Sequence, residues 1–351
     1  MPKRKKEKSS RHKKEKKEAL MTGGADIGSH NIRGVVLRNG QVIDEIKSPC
    51  TLINALSDNW ILSEASVQRA EITLRDIAAM FRHHGVSPRD ARLLATEAAR
   101  DLRDADTPES RAILRRIRLA AGEYPFTIIS RDKEAGWIRR GGRKELLRTH
   151  KPEVQALLRK FKDVTIAHLG GGSLELVFMR AGRKVTLPLG VLKLGKIRAE
   201  NPQNPEAVRV TCAKALNENW PEGGQSVLAV GGGIWRRVAE LVCKRCKTVL
   251  SRKEAEAALI PLVGRDEAYF RGLKHVGDRA PYMAASAQQL LDLITYVGAK
   301  EIIFLRDKMV VDIGSSMHQK ALARQRVACA PIKSASPRPF APSSQEPPLP
   351  A

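Results

Sequence analysis

Aromatic side chains make up only 4% of this 351-residue chain, and they do not alternate with its basic residues. Recognition of single-stranded nucleic acid by stacking bases on aromatic platforms is therefore poorly provided for. Cysteine is scarce too. The five cysteines, Cys50, Cys212, Cys243, Cys246 and Cys329, are odd in number, which argues against a disulfide framework. Cys243 and Cys246 have metal or redox spacing, but no second pair accompanies them and they follow the apolar run Val238 to Val242. Two ordinary helix cysteines are the favoured reading, a metal pair the other. No apolar run approaches the ~18 residues that span a bilayer, so no membrane partner is expected. The N-terminus is basic with no apolar segment behind it, so a secretory signal is not expected and the cytoplasm is the expected location.

Acidic residues are outnumbered. Against 62 Lys and Arg stand 38 Asp and Glu, a formal net charge of +24. Such a field attracts polyanions: nucleic acid, polyphosphate or anionic nucleotides. Residues 1–22 include the near-continuous basic block Lys3 to Lys17 and are expected to form a disordered tail, either solubilising or a nonspecific tether to RNA. Residues 315–351, rich in proline, are expected to form a second disordered tail. The length between the tails suits about two domains of 100–200 residues, expected at 23–137 and 138–314.

Between the tails, strand and helix patterns alternate. Ile32 to Leu37 alternates as a strand, and Asn39-Gly40 signals a hairpin returning through Gln41 to Ile46. Ser63 to His84 predicts a helix with an uneven stripe of Val67, Ala70, Ile72, Ile77 and Met80. Ala91 to Thr96 predicts a strand leading to Arg100, and Thr107-Pro108-Glu109 opens a helix over Ile113, Ile117 and Ala120. Phe126 to Ser130 predicts a strand that ends in the charged turn Arg131-Asp132-Lys133-Glu134. A second block repeats the opening: strand Val164 to Leu169, turn Gly170-Gly171-Gly172-Ser173, returning strand Leu174 to Phe178. Ser226 to Val230 reads as a strand before Gly231-Gly232-Gly233 and a helix from about Ile234. Ala284 to Val297 reads as helix and Glu301 to Leu305 as a buried strand. The duplication suggests two related α/β domains facing one cleft.

A glycine turn after an apolar strand lets backbone N–H groups approach phosphate oxygens, because no Cβ stands in the way. Asp26-Ile27-Gly28-Ser29 and Gly170-Gly171-Gly172-Ser173 are two such turns. Gly231-Gly232-Gly233 is a third, and the helix it opens adds its dipole to an anion site. Gly190 to Lys196 spells G-x-x-x-x-G-K, but Ile197 follows where a Walker loop needs Ser or Thr, so that motif is rejected. Asp312-Ile313-Gly314-Ser315 echoes the first turn at the edge of the second tail and is read as coincidence.

Four segments occur in a telling order: Asp26-Ile27-Gly28-Ser29-His30-Asn31, Ala95-Thr96-Glu97-Ala98-Ala99-Arg100-Asp101, Ile129-Ser130-Arg131-Asp132-Lys133-Glu134-Ala135 and Leu169-Gly170-Gly171-Gly172-Ser173-Leu174-Glu175-Leu176-Val177. With Leu187-Pro188-Leu189-Gly190 and the later triple glycine, the chain over roughly 24–310 resembles the exopolyphosphatase / guanosine pentaphosphate phosphohydrolase (Ppx/GppA) family. The resemblance implies an α/β, two-domain actin-like ATPase (ribonuclease-H-like) fold with an interdomain cleft. It implies a Mg²⁺-assisted hydrolase that removes the terminal phosphate from polyphosphate or guanosine pentaphosphate. By motif position, Glu134 is then the catalytic carboxylate that activates water, and Arg100 grips a phosphate by charge-assisted hydrogen bonds. Asp26, Gly28, Ser29, Asn31, Gly170, Gly171, Gly172, Ser173, Gly232 and Gly233 bind phosphate, while Glu175 and Asp26 hold the metal through oxygen. A homodimer is carried along as an expectation, although no residue fixes an oligomeric state.

The sequence also departs from the family pattern. His168 stands where Asp is usual, two residues before the triple glycine, and imidazole is a poor ligand for Mg²⁺. His30 stands for Asn, Arg131 for Gly, and Lys308 to Asp312 replaces a Gly-Leu-Arg-Glu-Gly segment. A second reading is therefore kept beside the hydrolase: a catalytically weakened relative that binds polyphosphate, an alarmone or RNA. A kinase-like or chaperone-like ATPase on the same fold is a third reading, against which the Glu134 segment counts.

Overall fold

The structure, a computed structural model, describes residues 19–50, 52, 62–148, 151–161, 163–201, 203–204, 206–219, 227–242, 248–274, 276–305, 316–317 and 319–320. Nearly all of both expected tails, the Cys243/Cys246 pair, Cys329, Lys308 to Asp312 and the Asp312 to Ser315 echo lie outside the described residues. Cys50 and Cys212 are buried free thiols.

The first sheet grows from one meander. β1 (Met21–Ile27), β2 (Asn31–Arg38) and β3 (Gln41–Pro49) pair antiparallel in turn. The expected first tail thus ends earlier, since Met21 and Thr22 already belong to β1. Asn39 and Gly40 turn the chain with φ of 51° and 82°, the two left-handed residues that a tight hairpin needs. β4 (Ala91–Ala95) and β5 (Phe126–Ile128) then add parallel strands on the other side of β1, giving the order β3-β2-β1-β4-β5. The helix α1 (Glu64–His83) covers this sheet, with the Ser63 side chain accepting from the Ser66 amide at its N-terminus. Its buried stripe is Val67, Ala70, Leu74, Ile77 and Phe81, the spacing of one helical face. The expected stripe member Ile72 faces away and is 55% exposed.

The second sheet repeats the plan. β6 (Val164–Leu169), β7 (Leu174–Phe178) and β8 (Lys184–Leu187) form the meander. β9 (Val227–Gly231) and β11 (Glu301–Phe304) add the parallel strands, and β10 (Val249–Ser251) closes the edge antiparallel, in the order β10-β11-β9-β6-β7-β8. A long helix of this half, α11 (Ala280–Val297), is buried along Met283, Leu290, Leu293, Ile294 and Val297. Its Ala284, Ala285 and Ala287 are small enough to let neighbouring helices approach closely.

One expectation fails at the junction. Arg131 to Glu134 is not a turn after a strand but the first turn of an 18-residue helix, α4 (Arg131–Arg148). Asp132 and Glu134 suit the positive end of the helix dipole, and the Lys133 amide donates to the Ser130 hydroxyl at 3.3 Å. Ala135, Ile138 and Leu146 of α4 pack with Val164, Ile166 and Val177 of the second sheet. The expected division at 137/138 therefore falls inside one helix, whose apolar face belongs with the second sheet. Among the described residues no helix is long and apolar enough to cross a membrane.

Candidate functional site

Both meanders place their glycine turns at the same cavity. Its lining includes Asp26, Gly28, Ser29 and Asn31 from the first turn, Gly170, Gly171, Gly172 and Ser173 from the second, and Glu134 from α4. Gly233, the first residue of α8 (Gly233–Val242), joins them. The cavity holds about 100 Å³, several times the ~10–15 Å³ that one water needs. Three expected site residues do not line it: Arg100, Glu175 and Gly232. Residues that sequence reasoning did not single out as site residues do: Glu97, His30, Arg33, Lys47, Arg279 and Tyr282, together with His168.

Backbone contacts shape the two turns. The Gly170 amide donates to the Ser173 carbonyl at 2.9 Å, tightening the second turn. The carbonyls of Gly170, Gly171 and Gly172 accept from Val191, Leu192 and Gly190, at the start of α6 (Val191–Glu200). The rejected G-x-x-x-x-G-K motif thus serves the fold, since its Gly190 caps α6 and ties that helix to the glycine turn. The two turns meet across the cleft. A Cβ on Gly171 would lie 2.9 Å from the Ser29 Cβ, and one on Gly172 would lie 2.6 Å from the Glu97 Cγ. Glycine is required here by close approach. At Gly232 it is required by backbone as well, with φ of 115° and the Leu169 carbonyl oxygen 2.3 Å from where a Cβ would stand. Gly232 thus seats the start of α8 against β6 and does not face the cavity.

The charged groups form a chain behind and around the cavity. Arg100 on α2 (Glu97–Ala105) is only 3% exposed. It donates to the Ile129 carbonyl at 2.9 Å, pairs with Glu134 at 2.8 Å and forms a short contact with Glu97. Its guanidinium is engaged by these protein groups and does not line the cavity. It is placed to hold Glu134. Burial, then the nearby Glu175 and, less strongly, Asp26 push the Glu134 carboxyl up to about 8, against the opposing pull of Arg100. Such a carboxyl exchanges its proton near neutral pH, as an acid–base group must. His30 is pushed down by burial and by Arg279 and Lys47, opposed by Asp278, which faces it across the cleft at 3.5 Å.

The two expected metal ligands are placed differently: Asp26 lines the cavity and Glu175 does not. Glu175 is fully buried, and both its oxygens are engaged, one by the Ser173 hydroxyl and the other by His168 Nδ1 at 3.3 Å. Its engaged carboxylate lies outside the cavity lining, while the His168 that does line the cavity brings nitrogen to a hard ion that favours oxygen. Among the described residues no group of three or more His, Cys, Asp or Glu side chains is arranged to hold a metal ion.

No protein-family model and no curated protein matches the chain. Solved structures do. An exopolyphosphatase-like protein aligns over 86% of this chain and 100% of its own, at 15% identity and a TM-score of 0.72. An exopolyphosphatase from Cytophaga hutchinsonii aligns over 86% and 98%, at 16% identity and a TM-score of 0.64. The Ppx-GppA enzyme of Aquifex aeolicus aligns over 85% and 99%, at 17% identity and a TM-score of 0.61. The duplicated meander-plus-parallel sheets, with glycine turns and Glu134 at the cleft between them, are thus the two-domain actin-like fold of these Ppx/GppA structures.

Proposed function

We propose that the cleft binds the terminal phosphate of a linear phosphoanhydride, polyphosphate or guanosine pentaphosphate, and hydrolyses it. The observation that carries this is Glu134: buried at the cavity, held by Arg100, and with its carboxyl pushed up to about 8. In the deprotonated form it takes a proton from a water as that water attacks the terminal phosphorus. The anhydride P–O bond breaks and the shortened chain leaves. The glycine turns hold the phosphate through backbone N–H groups, and the α8 N-terminus at Gly233 adds its dipole. The likeness in fold to exopolyphosphatases supports the choice of substrate class. A Mg²⁺ ion at the cleft would be held by Asp26 together with the substrate's own oxygens, and would offset phosphate charge.

The test is phosphate release from long-chain polyphosphate and from guanosine pentaphosphate, with and without Mg²⁺. Glu134→Gln is expected to lower turnover by about 10²-fold or more. Wild-type turnover is expected to rise with pH through about 8, as the Glu134 carboxyl gives up its proton. Equal rates in the two proteins would refute the assignment.

Binding without turnover is the second reading, favoured by the engagement of Glu175 with Ser173 and His168. Polyphosphate that binds, yet is not cleaved by wild type but is cleaved by His168→Asp, would select it.

A further inference from the structure

Two arginines beside the cavity, Arg100 and Arg131, stand behind a carboxylate. Glu97 opens α2, is 5% exposed and lines the cavity, whereas Arg100 and Arg131 do not line it. One Glu97 oxygen, Oε2, accepts from Arg100 Nε at 3.2 Å, from Arg100 Nη2 in a short contact and from Arg131 Nε at 3.4 Å. The other, Oε1, accepts from Arg131 Nη2 at 2.9 Å. Two guanidinium forks on one anion is how arginines hold a phosphate. On its other side, the Glu97 side chain touches the second glycine turn, where a Cβ on Gly172 would strike its Cγ. Glu97 thus fills the space between the arginines of one side and the glycine turn of the other. Burial alone would raise its carboxyl, but hydrogen bonds from Arg131 and Arg100 outweigh that and hold it below the ordinary value. It is an anion where the ligand is also an anion.

We infer that Glu97 is an internal competitor for phosphate, occupying Arg100 and Arg131 until a ligand displaces it. This rests on the proposed phosphate site and sharpens its selectivity. Displacing a carboxylate held by two arginines takes more than one dianionic group, so the cleft favours chains of linked phosphates and disfavours inorganic phosphate. After cleavage, the return of Glu97 to the arginines expels the released phosphate.

Wild type, Glu97→Gln and Glu97→Gln/Arg131→Gln are titrated calorimetrically with inorganic phosphate and with tripolyphosphate at one low salt concentration. Glu97→Gln is expected to bind inorganic phosphate about tenfold or more tighter than wild type, the size of one freed charge-assisted contact. The gap between the two ligands should narrow, and Arg131→Gln should abolish the gain. A merely structural role for Glu97 yields no gain of affinity. If Glu97→Gln does not fold, Glu97→Ser, a smaller polar replacement that leaves the Arg100 contact with Glu134 in place, carries the same expectation. Binding no tighter than wild type overturns the inference while the phosphate site stands. Absence of binding of either ligand by every variant overturns both.

Discussion

Glu134 ties chemistry to stability, because its carboxyl holds a proton in the folded chain at a pH where the unfolded chain has lost it. The folded value is raised from the ordinary 4.5 to about 8, by burial first and then by Glu175. Between those values the folded state binds the extra proton, so its stability falls as pH rises through that window. Glu134→Gln removes this titration. Its melting temperature is therefore expected to fall less than that of wild type between about pH 6 and about pH 9. Parallel curves would show that Glu134 ionises as an ordinary carboxyl. Two glycines give a contrast at the same scale. Gly85 and Gly232 both have positive φ, 66° and 115°. A Cβ on Gly85 meets nothing within 4 Å, so Gly85→Ala should lose only the backbone preference, about 1 kcal/mol. At Gly232 the same Cβ would also strike the Leu169 carbonyl, and Gly232→Ala should cost clearly more, roughly 2–4 kcal/mol. Urea unfolding of the two variants measures the difference.

Elements are legible where a local signal is strong and belongs to one residue pair. Asn39-Gly40 marks its hairpin, and Thr107-Pro108 marks its helix because a threonine hydroxyl accepts from Ser110 and proline fits the first helical turn. The capping box of α9 (Arg252–Val263) is of the same kind, with Ser251 and Glu254 each satisfying the other's backbone. Ser251→Ala is expected to lower stability by about 1 kcal/mol, read from chemical unfolding. α4 is illegible for the opposite reason. Its first turn is wholly polar, its first buried apolar residue is Ala135, and what makes it a helix is a sheet some 30–45 residues further along the chain. The site divides in the same way. The glycine turns and Glu134 announce themselves by motif, and of these glycines all but Gly231 and Gly232 reach the cavity. Arg100 is marked by motif, but its engagement is not legible, because two of its partners, Glu134 and the Ile129 carbonyl, arrive from another part of the chain. His30 and Asp278 are far apart in sequence, one beside the first sheet and one before α11, and only folding brings them together.

The molecule as a whole sets a strongly positive chain around a cavity of mixed charge. The formal net charge is +24, yet the cavity is lined by the carboxyls of Asp26, Glu97 and Glu134 as well as by Arg33, Lys47 and Arg279. Of these cations Arg33 is already paired with Glu45, and Arg279 is disfavoured by burial and by Arg237 nearby. Long-range attraction and local recognition are therefore assigned to different parts of the protein. The surface field gathers a polyanion and releases its counter-ions, an effect that salt erodes steeply. The cleft reads one terminal phosphate at short range, where screening matters less. If so, raising salt from about 50 mM to about 200 mM should weaken binding of long-chain polyphosphate by orders of magnitude. Binding of tripolyphosphate, which is short enough to stay near the cleft, should fall several times less. Equal salt slopes for the two ligands would mean that the excess charge takes no part in capture, and that the cleft alone determines which anion stays.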